Sequence, residues 1–72
     1  MTRVLVVEDN ADLAFALTTA LESEGFAVTV ASTGPDGVAR ARDAGVQLII
    51  LDLMLPGFDG FRAIRTIRDE GI

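Results

Sequence analysis

Residues 4–7, VLVV, follow Arg3 as an unbroken run of apolar, mostly β-branched side chains, the pattern of a strand buried on both faces. The polar EDN at 8–10 ends it, and Asn10 suits a helix N-cap. From 11 to 24 the apolar positions Leu13, Leu17, Ala20 and Leu21 recur at helical spacing, with Gly25 placed to close the helix in a left-handed conformation. FAVTVA at 26–31 reads as a second strand. STGPDG then combines turn residues with a proline suited to a first helical turn, predicting a second helix to about Ala44, closed by Gly45. VQLIIL at 46–51 repeats the buried-strand signature. After the turn PGFDG, a third helix is expected to end near Gly71, with Phe61, Ile64 and Ile67 on its inner face.

The order β-α-β-α-β-α implies an α/β fold, a parallel sheet joined by right-handed crossovers with helices on its faces. No internal repeat, linker or low-complexity tract interrupts it. In such sheets ligands bind beyond the carboxyl ends of the strands, near the point where strand order reverses. The acids Glu8, Asp9 and Asp52 fall at that rim.

Composition narrows the reading. At 72 residues the chain is one small domain at most, without cysteine or histidine to supply a disulfide or a structural zinc site. Packing and self-association must carry the stability. Half the residues are hydrophobic, yet no apolar run approaches the roughly 20 residues needed to cross a bilayer. The acids Asp9 and Asp12 also argue against a signal peptide, so a soluble, cytoplasmic protein is expected. A net charge of −5, from eleven acids against six arginines and no lysine, disfavours nucleic-acid binding.

Glu8 and Asp9 follow the first strand and Asp52 follows the third, so neighbouring strands would bring three carboxylates together. Like charges repel, and a divalent cation among them reverses that penalty. Oxygen-only ligands favour a hard cation such as Mg²⁺. A carboxylate beside such a cation is also a reasonable nucleophile toward phosphorus, forming an acyl phosphate. The plainer alternative for a strand-end aspartate is a turn or N-cap acid. A dinucleotide fold would need G-x-G-x-x-G where EDNADL stands, and a P-loop would need G-K-[ST]. An aspartyl-phosphate hydrolase of the haloacid dehalogenase kind would carry a second acid two residues after its nucleophile, where this chain has Met54.

VLVVEDN with its acidic pair and LIILDLMLPGFDG with its strand-end aspartate, proline and glycines closely resemble the receiver domain of two-component response regulators. The resemblance covers the whole chain and is closest to receivers that precede a winged-helix DNA-binding domain. It implies that Asp52 is the phosphoacceptor, taking a phosphoryl group from a phosphohistidine on a sensor histidine kinase or from a small phosphodonor. Glu8 and Asp9 match the metal-binding acids, and the backbone carbonyl of Met54 matches a further Mg²⁺ ligand. Pro56, Gly57 and Gly60 match the loop that shapes the pocket. A receiver is a signalling module rather than an enzyme.

The same resemblance implies a five-stranded flavodoxin-like sheet of order 2-1-3-4-5. Residues 1–72 correspond to the first three βα units, in order 2-1-3, a partial receiver without the fourth and fifth. The hydroxyl residue that ends strand four and the lysine that ends strand five have no counterpart. Thr66 lies in helix three and cannot stand in for the first. Each missing contact resembles a lost oxyanion donor, about 3 kcal/mol, so phosphorylation of this chain is expected to be impaired or absent.

In the order 2-1-3 the third strand becomes an edge without charge, proline or evident bulge, and helices one and three lose covering elements. A homodimer or larger assembly through strand three is therefore expected. The alternative is a non-signalling folding fragment or engineered half-domain that self-assembles by the same strand. Arg62, Arg65 and Arg68 read as a solvated helix face balanced by Asp69 and Glu70. Phe15 and Phe58 fit either a docking surface or packing.

Overall fold

The fold is that of a computed structural model whose described residues are 1–43, 45–52 and 59–71. The expectations placed on Met54, Pro56, Gly57, Phe58 and Ala44 lie outside them. The elements run β1 (Arg3–Val7), α1 (Ala11–Ser23), β2 (Ala27–Ala31), α2 (Gly34–Ala41), β3 (Val46–Leu51) and α3 (Gly60–Asp69). Both strand pairs are parallel, and the sheet order is β2-β1-β3. This is the α/β arrangement and the strand order expected from the sequence.

The central strand is β1, and Val4, Leu5, Val6 and Val7 are all buried. Side chains alternate across a sheet, so Leu5 and Val7 share a face, where they cluster with Ala31, Ala41 of α2 and Ile67 of α3. Val4 and Val6 point to the other face, beneath α1, which packs on β1 and β2. An unalternating apolar run is what a strand covered on both sides requires.

Local chemistry sets the helix boundaries. The Asn10 side chain accepts from the Leu13 N–H at 3.0 Å and caps α1. Gly25, at φ +89°, turns the chain out of α1 in a conformation that side chains resist. Thr33 caps α2 through a bond from the Asp36 N–H at 3.2 Å, with Pro35 in the first turn. Asp59 caps α3 by accepting from the Arg62 N–H at 3.1 Å.

Four details differ from the sequence reading. Helix α2 ends at Ala41 with Arg42 as its cap, and Gly45, at φ +93°, serves the turn into β3 instead of closing the helix. On α1 the inward position is Ala14, with Leu17 and Leu21 half-buried, whereas Leu13 and Ala20 are exposed. On α3 the inner face is Gly60, Ala63 and Ile67, with Ile64 at its margin. Phe61 is 72% exposed, because six residues at 3.6 per turn put it about 120° from Ile67.

Finally, β3 does carry an irregularity. Arg3 pairs with Val46 but Val4 pairs with Leu48, so Gln47 is an extra residue. Its side-chain Oε1 accepts from the Arg3 N–H at 3.3 Å. Within the described sheet β3 is an edge, and Leu48 is 49% exposed.

Candidate metal and phosphoacceptor site

The site follows from register. Val7 is the partner of Leu51 across β1 and β3, so the next residues, Glu8 and Asp52, leave the sheet side by side. The Asp52 N–H donates to the Val7 carbonyl at 3.1 Å, extending the ladder by one bond. On the other side of β1 the Glu8 N–H donates to the Ala31 carbonyl at 3.0 Å. The backbones that carry both acids are thus held by β1 and its two neighbours.

Carboxylate oxygens of Glu8, Asp9 and Asp52 lie within 4.8 Å of one another. Glu8 is buried, Asp52 partly buried and Asp9 exposed. The Glu8 carboxylate accepts from the Asn10 N–H at 3.1 Å, which fixes its orientation at the start of α1. Burying one carboxylate among others is unfavourable unless a cation offsets the charge. The donor set contains only oxygen, and opposite ligands of a Mg²⁺ ion stand about 4.2 Å apart, twice its usual ligand distance. The three acids therefore fit a hard divalent cation with retained water. Gly60, assigned to the loop that shapes this pocket, is buried as the first residue of α3.

Arg62, Arg65 and Arg68 are all exposed, in keeping with a solvated face. Glu70 does not balance that stripe. Its carboxylate takes a two-pronged contact from Arg42, at 2.7 and 2.8 Å, joining the end of α2 to the end of α3. Nothing in local periodicity signals a pair so far apart in sequence. A groove of about 390 Å³ opens between the β3 edge and α3, lined by Ile49, Leu51, Ile64 and Ile67. No helix among the described residues is long and apolar enough to cross a membrane.

A βα-repeat sheet with an acidic triad at its carboxyl rim defines a class, and sequence comparison gives it a family. The chain belongs to the response regulator receiver domain family, whose sequence profile matches residues 4–72. Among similar proteins are the transcriptional regulatory protein ResD of Bacillus subtilis, 41% identical over 69 residues, and the sensory transduction protein RegX3 of Mycobacterium tuberculosis, 44% identical over 68. The matches cover 96% and 94% of this chain but 29% and 30% of those proteins, so the chain spans about three tenths of their length. Among solved structures, response regulator protein TrrA from Thermotoga maritima in complex with Mg(2+)-BeF superimposes at TM-score 0.90 with 30% identity. That match covers 97% of this chain and 61% of TrrA. The receiver domain of Ssk1 from Saccharomyces cerevisiae, co-crystallised with the histidine phosphotransfer signaling protein Ypd1, superimposes at TM-score 0.86 with 34% identity, over 94% of this chain and 47% of that one.

Proposed function

We propose that residues 1–72 form the first three βα units of a cytoplasmic receiver in which Asp52 accepts a phosphoryl group, with Mg²⁺ held by Glu8, Asp9 and Asp52. The observation that carries this reading is the meeting of the three carboxylates at the rim of β1 and β3. The Mg(2+)-BeF complex of TrrA supports the choice of metal, and the Ypd1–Ssk1 complex supports a phosphohistidine partner. The Met54 carbonyl is proposed as a further ligand on family resemblance alone.

In the proposed transfer a carboxylate oxygen of Asp52 attacks phosphorus, the P–N bond of the donor phosphohistidine breaks, and the departing imidazole nitrogen takes up a proton. An acyl phosphate remains on Asp52. A divalent cation held by Glu8, Asp9 and Asp52 would supply charge neutralisation for the phosphoryl oxygens. The chain's own task is positioning: β1 and β3 hold Glu8 and Asp52 side by side, and the Asn10 N–H keeps the Glu8 carboxylate turned to its place. Residues 1–72 contain no lysine, and transfer to Asp52 by these residues alone would be slow without such an ammonium beside the transferring group.

Titration with Mg²⁺ followed by amide NMR, together with intact mass after incubation with acetyl phosphate and Mg²⁺, tests the reading. Mg²⁺ should shift the amides around Glu8, Asp9 and Asp52, and Asp52→Asn should abolish the response and any adduct. Equal Mg²⁺ binding or equal adduct in Asp52→Asn would overturn the acceptor site. Ready accumulation on wild-type Asp52 would overturn only the slowness.

A second reading rests on the edge. The half-exposed Leu48 and the apolar groove beside α3 favour pairing of β3 with a second copy of this 72-residue chain. That reading holds even if the chain carries no signal.

A further inference from the structure

We propose that Gly37 is a positioning residue for the acid pocket: its missing side chain lets α2 close onto Val7, and Val7 sets the spacing of Glu8 and Asp52. The inference rests on the reading of those acids as a Mg²⁺ site. A Cβ built at Gly37 would stand 2.7 Å and 2.9 Å from the two γ-methyls of Val7 and 3.3 Å from its Cβ. Distances below 3.0 Å between such carbons are not tolerated, so something must move. Val7 cannot turn aside, because a β-branched side chain is stiff at χ1 and both methyls face the intruder. It is only 2% exposed, with Leu5, Ala31, Ala41 and Ile67 in the same cluster.

Helix α2 is not free to retreat either. Its first turn is tied by the Thr33 cap and by the Gly37 N–H, which donates to the Thr33 carbonyl at 2.9 Å. Its far end is tied to α3 through Arg42 and Glu70. Part of the displacement therefore passes to Val7. Val7 is covalently joined to Glu8, and its carbonyl accepts the Asp52 N–H. A shift there changes the relation between the buried acid and the acceptor, although Gly37 touches neither.

The test is a pair of substitutions in this chain, read by Mg²⁺ affinity of the folded protein from amide NMR and, separately, by the urea midpoint. Gly37→Ala should raise the Mg²⁺ Kd about tenfold, the scale seen when groups that orient metal ligands are altered. Gly37→Ala with Val7→Ala, which removes the obstructing methyls, should return the Kd to near that of Val7→Ala alone. A purely structural glycine would lower the urea midpoint and leave the Kd unchanged, which would overturn the proposal. If Gly37→Ala does not fold, the double variant decides: recovery of both folding and Mg²⁺ affinity supports the proposal. A double variant that stays unfolded, or folds and still binds Mg²⁺ poorly, defeats it. Failure of the underlying site is recognised separately, by Mg²⁺ binding that is absent in wild type or survives in Asp52→Asn.

Discussion

Arg42 and Glu70 meet side-on, Nε to Oε1 at 2.7 Å and Nη2 to Oε2 at 2.8 Å, and so tie the ends of α2 and α3 together across the face that covers Leu5 and Val7. The fork geometry adds orientation to charge. The hydrogen bond from Arg42 holds the Glu70 carboxyl below its ordinary range, aided by the guanidinium charge and opposed by partial desolvation. Arg42 is pushed up in turn by the same bond and charge.

The sign of the resulting pH dependence is fixed. A carboxyl whose folded pKa is depressed contributes its stability in full above the ordinary glutamate value and loses it as pH falls through the folded value. Arg42, shifted upward, stays charged across that window. Glu70→Gln should lower Tm at neutral pH, and the two proteins should converge as pH falls through the depressed folded value of Glu70, where wild type loses its carboxylate. Both side chains are well exposed, so the difference is small and shrinks with added salt. A difference unchanged by acid would show that the charge is not what joins the helices.

Asn10 does two things with different atoms. Its side chain caps α1, whereas its backbone N–H donates to the Glu8 carboxylate. Asn10→Ala removes only the first, so it should cost about 1 kcal/mol of stability. The Mg²⁺ affinity of the folded protein should stay as it was, because alanine keeps the N–H. Urea unfolding and a Mg²⁺ titration on one sample separate the two, and a large loss of affinity would mean that the side chain also orients the site.

What the sequence revealed and concealed divides along physical lines. The strands were legible because VLVV and LIIL lack polar interruptions, and the acids at their ends follow from strand length alone. Asn10 and Gly25 carry local signals at the ends of α1 that need no tertiary context. The inner face of α3 was misread because its contacts are made by small residues. Gly60 and Ala63 are buried but carry no hydrophobic signal to compete with Phe61. The Gln47 bulge depends on the partner strand, and the Arg42–Glu70 tie depends on how two helices lie together. Neither has a period to read.

Thr18 offers a test of packing. Its Oγ1 is buried on α1 and has no hydrogen-bond partner among the described residues, a cost of about 1 kcal/mol or more. Valine has nearly the same shape and a similar helix propensity. Thr18→Val should therefore raise stability by about 1 kcal/mol, visible as a higher urea midpoint at unchanged slope. A lower midpoint would show that the hydroxyl finds a partner in solution, and a water bound there would then be the first thing to look for by NMR.

The edge of β3 gives the last expectation. Leu48, Ile49 and Leu51 all border the groove beside α3, and Leu48 remains half exposed. If two copies of this chain pair along β3, Leu48 is covered, and burying a leucine is worth about 1.5 to 3 kcal/mol. Replacing it with lysine removes that gain and brings two like charges toward each other. Leu48→Lys should weaken association at least about tenfold in Kd, since each 1.4 kcal/mol is a factor of ten. Light scattering over a concentration series measures this directly: wild type should rise from monomer mass toward dimer mass, and the lysine variant should rise later. The variant's Mg²⁺ affinity should be unchanged, because Leu48 lies in the middle of β3 and is not one of the three acids at its carboxyl rim. A wild-type chain that remains monomeric at high concentration, or a variant that associates equally well, would remove β3 as the contact.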